Sequence, residues 1–162
     1  LVAGRRFMYD ARFTSSNGEA ACASCHVDGD LDSLAWDLGD PTGNILNNPL
    51  DPSPSGGGQD FHPMKGPMTT QTLRGMNTHG SMHWRGDRIG SSVSDEVGAF
   101  GQFNAAFPGL LGRETQLTPT QMQAFTDFIL QVTPPPNPMM GRRPPPPQGP
   151  RWPRCSSRAG AG

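Results

Sequence analysis

Three stretches of the chain repeat apolar residues at helical spacing. Residues 3–13 place Phe7 and Ala11 four apart, with Met8 beside them. Arg5, Arg6, Asp10 and Arg12 fall mostly on the other side, which predicts an amphipathic helix. Ser15-Ser16-Asn17-Gly18 breaks it. Residues 94–107 carry Val97, Phe100, Phe103 and Phe107 at intervals of three, three and four, which predicts a second helix ended by Pro108-Gly109. The last helix is expected over 119–132, with Met122, Phe125, Ile129 and Val132 on its buried face. Thr118 is its N-cap, Pro119 its first turn, and Gln121 completes a capping box. Pro134-Pro135-Pro136 stops it. A further short turn is expected over 19–26. No stretch reads as a convincing strand, so the fold class is mainly α.

The stretches between and after these helices differ in kind. Residues 39–60 are dense in glycine, proline, asparagine and serine, which predicts a long irregular surface loop. Beyond residue 133 the chain runs through Pro144-Pro145-Pro146-Pro147 to a small-residue end, a composition that buries no core. The expected organisation is a helical domain over 1–133 and a disordered, Pro/Gly-rich tail over 134–162.

Composition adds one problem. Only 33% of the residues are hydrophobic, below the usual share for a globular chain, so the polypeptide alone offers a thin core. The formal net charge of −1 gives no field for nucleic acid or anionic membranes. No apolar run is long enough to span a bilayer. The chain opens on Leu1 without an initiator methionine, as a processed chain or a piece of a longer one would.

Cys22-Ala23-Ser24-Cys25-His26 supplies what the core lacks. Two cysteines three apart with a histidine directly after form the attachment pattern for c-type haem, one haem per motif. Each sulfur bonds one vinyl position, and His26 offers an imidazole nitrogen as proximal iron ligand. A buried porphyrin would add the apolar surface around which a small chain closes. Two other readings compete. A redox dithiol expects a βαβ context, and no strand run precedes the motif. A zinc site needs two more ligands nearby, and the remaining cysteine, Cys155, lies far off in the proline-rich tail. With both motif cysteines used, Cys155 is unpaired. The aspartates of Val27-Asp28-Gly29-Asp30-Leu31-Asp32 raise calcium as an alternative, but the loop lacks the sixth-position glycine and the closing glutamate. It reads as a solvated acidic loop. Thioether attachment takes place outside the reducing cytosol, which predicts a periplasmic or extracellular location.

Residues 61–90 hold four of the chain's 8 methionines and three of its 4 histidines. Most of these methionines are expected to pack around the porphyrin. One of Met64, Met68, Met76, Met82, His79 and His83 is expected as the distal ligand. Met82 is first choice, because Gly80 and Gly86 on either side allow backbone to approach the ring closely. Met68, after the rigid Gly66-Pro67, is second. Arg74 and Arg85 flank Met82, and guanidinium groups suit haem propionates as bidentate partners.

These motifs carry a resemblance. Phe7 to His26, with Tyr9-Asp10-Ala11-Arg12-Phe13 ahead of Cys-x-x-Cys-His, resembles the opening of class I c-type cytochrome domains. Leu73-Arg74-Gly75 with Ser81-Met82-His83-Trp84-Arg85-Gly86 resembles the Leu-Arg-Asn … Tyr-Met-His-Asp-Gly stretch of bacterial di-haem cytochrome c peroxidases and their MauG-like relatives. Gly75 stands for the asparagine, Ser81 for the aromatic, and Trp84-Arg85 where Asp or Ser would be. That family carries two haem motifs per chain and this sequence has one. The resemblance implies a cytochrome c fold over about 3–132, with first and last helices crossing near the motif and Gly4 and Phe7 at the crossing. It also places Met82 at the methionine of that family stretch.

Two functions follow as expectations. The first is one-electron transfer to a redox partner protein, with both axial positions filled by His26 and Met82. The second is a fragment or subunit of a di-haem peroxidase-like enzyme, part of a longer multi-haem chain. There one iron position stays open, and His79, His83 and Glu96 are the acid–base candidates. No catalytic residue is assigned under the first reading.

Overall fold

A computed structural model describes residues 2–48, 60–92 and 94–139. The elements run α1 (Val2–Tyr9), α2 (Ala11–Thr14), β1 (Ala35–Asp37), β2 (Pro67–Thr69), α3 (Glu96–Gly101), α4 (Ala106–Gly109) and α5 (Pro119–Ile129). Tight 3-10 turns lie at Cys22–Ser24, Val27–Gly29 and Gln102–Ala105. The fold is small and mainly helical, with long irregular connections. None of the described helices is long and apolar enough to cross a membrane.

The first and last helices cross. Gly4, Phe7 and Met8 face α5, which turns Met122, Phe125, Thr126 and Ile129 inward. Phe7, Met8 and Ile129 are almost wholly removed from solvent. At the contact, a β-carbon on Gly4 would lie 1.9 Å from the carbonyl oxygen of Ala124, so only glycine lets the two backbones meet. Phe125 is the hub of the core. Its ring lies 5.1 Å from Phe100, 6.1 Å from Phe107 and 6.2 Å from Phe7, tilted or edge-on in each case. Such pairs add about 0.5–1.5 kcal/mol each beyond their burial. Asn104 clips the segment before α5 in place: its Nδ2 donates to the Leu117 carbonyl at 3.0 Å, and its Oδ1 accepts from the Leu117 N–H at 2.9 Å.

The α5 start is the one the sequence implies. The Gln121 N–H donates to Thr118 Oγ1 at 3.3 Å, and the Thr118 N–H donates to Gln121 Oε1 at 3.0 Å. The helix ends at Ile129, three residues short of the expected 132, and so before the prolines. Val132, partly buried, instead uses its carbonyl to accept from Gly75 at 2.8 Å.

Three expectations are corrected. The first helix does not run unbroken to residue 13. Asp10 leaves helical geometry and its carboxylate accepts from the Arg12 N–H at 3.1 Å, which caps α2 separately. The second helix is three pieces. It starts at Glu96 with Asp95 as N-cap, tightens into a 3-10 turn, and resumes as α4, which includes Pro108 and Gly109 rather than stopping ahead of them. Val97 drops out of the stripe, being exposed. The third correction is a two-stranded antiparallel sheet where no strand was expected, pairing Ala35 with Thr69, Trp36 with Met68 and Asp37 with Pro67. Three-residue strands with mostly exposed side chains leave no alternation to read.

The expected loop over 39–60 is described to residue 48. A bridge between Leu46 and Phe61 closes it, with bonds of 3.0 and 2.7 Å. The tail from residue 140 and Cys155 lie outside the described residues.

Candidate haem site

The Cys22–His26 segment winds into a single turn. The Cys22 carbonyl accepts from the N–H groups of both Cys25, at 3.3 Å, and His26, at 2.9 Å. One turn therefore carries both thiols and the imidazole. Ser24 Oγ accepts from the Ala21 N–H at 3.1 Å and fixes the entry. The turn is tied to α2 through Thr14, whose hydroxyl donates to the Ala20 carbonyl at 2.7 Å, and through Ser15 Oγ, which accepts from Glu19 and Ala20. Cys22 packs against the apolar core with Ala23.

Cys22 and Cys25 are both free thiols. Burial pushes the Cys22 thiol up to about 12, with the Cys25 charge adding to it. Burial also raises Cys25, helped by Asp32. These are protonated thiols at neutral pH. A redox dithiol needs the opposite, an electropositive setting that lowers one thiol. Among the described residues no three His, Cys, Asp or Glu side chains converge as a metal-ion group, so neither the zinc nor the calcium alternative finds its ligand set there.

His26 is held by a bond from outside its own loop. Its Nδ1 lies 2.7 Å from the Gln71 carbonyl oxygen, 45 residues on. A carbonyl only accepts, so Nδ1 carries the proton and Nε2 keeps its lone pair for a metal. Burial holds the imidazole below its ordinary pKa, against the pull of the Gln71 and Asp30 backbone groups and of Asp32, which keeps it neutral. The partner carbonyl comes not from the loop just after the motif but from residues 71–75. That segment runs alongside the motif loop. Leu73 N–H donates to the Gly29 carbonyl at 2.9 Å, and Gly75 N–H reaches the end of α5. Gly75 adopts a positive φ of 77°, a conformation glycine takes without strain.

Arg74 belongs to the same seam. Its Nη1 contacts Asp30 Oδ2 at 2.7 Å, and Nε and Nη2 donate to the Asp28 carbonyl at 3.3 and 3.0 Å. It braces the acidic loop against residues 71–75. The aspartates there serve as acceptors for this arginine and for local backbone groups.

Of the distal candidates, Met82 and Met76 are buried in the core cluster that Cys22 and Leu73 pack against. Met68 is half-buried on β2, and Met64 is exposed. Met82 is 4% exposed, and its backbone is paired on both sides with Arg88, at 2.8 and 3.4 Å. It sits in a loop of fixed geometry. His79 is exposed and its ring nitrogen bonds the Ser81 carbonyl at 3.2 Å. Glu96 accepts from the Gly80 N–H at 3.2 Å.

His83 and Arg85 lead to a residue to which sequence reasoning gave no role. His83, at a positive φ of 69°, donates from Nδ1 to Asp87 Oδ1 at 2.6 Å. Arg88 Nη1 reaches Oδ2 at 3.2 Å and Arg85 Nη2 lies 3.8 Å from it. The Asp87 side chain is only 4% exposed. Its spacing of four from His83 and its place between two arginines were the available signals. Burial pushes the Asp87 carboxyl up, but the His83 hydrogen bond and the charges of Arg88 and Arg85 outweigh it and hold the group below the usual carboxylate range. A lowered folded-state pKa means stabilisation present above the ordinary carboxylate pKa and lost as pH falls through the lowered value. Asp87→Asn should therefore cost about 3 kcal/mol near neutral pH. The difference from the parent should shrink below about pH 4. Denaturation midpoints against pH check this; parallel curves would remove Asp87 from the account.

The haem reading can be tested on the residues themselves. Both thiols share one turn with a neutral histidine whose Nε2 is free for a metal, and the Nε groups of Arg85 and Arg88 are buried without an acceptor among the described residues. The residues fit.

A fold likeness completes the picture. Over 80% of this chain the structure matches hydrazine synthase from Kuenenia stuttgartiensis, determined under 20 bar of xenon, with a TM-score of 0.51 and 21% identity. The match takes up 35% of that chain, so this chain corresponds to about a third of its length. At this identity the likeness is one of fold alone. No family model matches the sequence, and no curated protein does.

Proposed function

We propose that residues 1–133 form a c-type cytochrome domain that holds one haem covalently through Cys22 and Cys25 and passes single electrons to a partner protein. The observation that carries this is the His26 Nδ1 bond to Gln71, on a Cys-x-x-Cys-His turn whose thiols are both protonated and unpaired. His26 Nε2 and the Met82 sulfur would hold the iron from this chain. Bound there, the haem would supply a one-electron ferric–ferrous couple. The chain's part is to hold both donors still, exclude water and set the potential. Gln71 fixes the imidazole plane, the Met82–Arg88 pairing fixes the thioether's loop, and the Phe125 cluster keeps the interior dry. Location is periplasmic or extracellular, where thioether attachment takes place.

A second reading is kept for one observation. The structural neighbour is by name an enzyme, and this chain matches about a third of its length, as one domain of a larger catalytic chain would. In that case the chain is a piece of a peroxidase-like or other haem enzyme, and His83 with its Asp87 partner would be the acid–base pair this chain supplies. The optical spectrum separates the two. Six-coordinate, low-spin iron with a far-red sulfur-to-iron band supports electron transfer; high-spin iron without that band supports the enzyme.

The tail is proposed to add nothing to the haem domain. Its described residues, 134–139, are exposed throughout, although Pro134 approaches Gly75. A chain ending at Thr133 should keep its haem content and its melting temperature to within about 2 °C. A larger drop in a melting curve would show that the tail docks.

A further inference from the structure

The net charge of −1 hides an uneven distribution. Between Arg12 and Lys65 the chain has no Lys or Arg and eight Asp or Glu. Within that stretch Asp30 is ion-paired with Arg74 at 2.7 Å, while Asp32, Asp37 and Asp40 have no ion pair among the described residues. The same stretch exposes apolar side chains. Leu34 and Trp36 are both exposed and lie two apart on extended backbone, so they share one face of the β1–β2 sheet. Met68, half-buried, stands opposite Trp36 on that face. A carboxylate holds the two exposed residues in place. Trp36 Nε1 donates to Asp32 Oδ2 at 2.9 Å, and the Leu34 N–H donates to Asp32 Oδ1 at 2.9 Å. A tryptophan is among the largest apolar areas a chain can bury, and much of this one stays in water. The outer edge of β1 is open as well. The Thr70 N–H donates to the Leu34 carbonyl at 3.1 Å, so Ala35 and Asp37 turn their backbone groups away from β2, and no described strand pairs with them. This face borders the haem turn. β2 runs on through Thr70 to Gln71, whose carbonyl holds His26.

We propose that the face of Leu34, Trp36 and Met68, with Asp32, Asp37 and Asp40 about it, docks a partner protein whose own surface is basic around an apolar centre. This rests on the electron-transfer reading and gives that partner its charge sign. The apolar centre supplies affinity through burial, as at the core of other interfaces. The carboxylates steer a basic partner in and turn an acidic one away. A second copy of this chain does not fit, because a two-fold contact would set the carboxylates of one face against those of the other.

Stopped-flow mixing of the ferrous holoprotein with a ferric, lysine-rich mitochondrial-type cytochrome c tests this, one electron passing to the probe. The same probe with its lysines acetylated is the comparison. The second-order rate should fall at least about tenfold from low to physiological salt, and acetylation should abolish that dependence. Asp37→Asn with Asp40→Asn should lower the low-salt rate about fivefold. Glu114→Gln with Asp127→Asn, an equal charge change at two exposed positions outside the face, should leave it within about a factor of two. Leu34→Ser, at an exposed position, should lower the rate at every salt concentration without changing its slope. Amide shift mapping of isotope-labelled protein against the same probe reads the contact apart from electron flow, and the shifts should centre on residues 31–37 and 67–70. Equal rates in the two charge variants, with shifts elsewhere, overturn the face and leave the electron-transfer reading standing. Faster reaction with the acetylated probe overturns the partner's charge sign. Shifts on 31–37 without electron exchange support the face and overturn the electron-transfer reading. A concentration-dependent dimer that Leu34→Ser abolishes gives the face to a second copy and overturns the proposal.

Discussion

Replacing Gly4 by alanine should lower the unfolding free energy by more than about 3 kcal/mol, at or beyond the upper end of ordinary overpacking. The added β-carbon would stand 1.9 Å from the Ala124 carbonyl oxygen and 2.7 Å from Phe128 Cβ. A side chain in the way can rotate, but a helix carbonyl cannot leave without breaking its ladder. The helices must therefore separate, and Phe7 and Met8 lose their seat against Phe125 and Ile129. Gly101→Ala is the control. That glycine is helical, at φ −54° and ψ −31°, with nothing near its missing β-carbon, so alanine there should gain about 0.5–1 kcal/mol. Denaturant midpoints of the two variants decide the point. Equal effects would mean that the crossing does not organise the domain.

Met82→Ala should have the largest effect on the spectrum. Met82 is proposed as both ligand and core residue, so its truncation removes the far-red sulfur-to-iron band, lowers the reduction potential and costs about 2–5 kcal/mol of stability. The potential falls because a thioether favours ferrous iron and its loss removes that preference. Met68→Ala should keep the band, since Met68 sits half-buried on β2 opposite Trp36. Met76→Ala should also keep it while losing stability, because Met76 shares the buried cluster. Optical spectra and potentiometry on the three variants separate ligand from filler. Band loss in Met68→Ala with retention in Met82→Ala would move the ligand.

Local rules made the ends of the domain legible. The Thr118 capping box and the Phe125 and Ile129 stripe belong to one uninterrupted helix, and periodicity reads such elements well. The α1–α5 crossing needed the resemblance to be anticipated, and Gly4 then supplied its physical reason. What was not legible depends on partners distant in sequence. Nothing near His26 points to Gln71, because a carbonyl is common to all residues and only the fold selects one. Asp87 was hidden by its setting: a single acidic residue between arginines reads as solvated charge until the fold buries it. Val97 misled because periodicity alone does not say where a helix meets the core: α3 buries Ala99 and Phe100, while Val97, one residue past its start, stays exposed. The β1–β2 pair was too short for any period.

The central claim is that haem is bonded to the chain through Cys22 and Cys25. Denaturing the purified protein in acid and organic solvent tests it most directly. The account predicts that the colour stays with the polypeptide, and that a Cys22→Ala, Cys25→Ala variant releases it to the solvent. Haem that extracts freely from the unaltered chain would contradict the account.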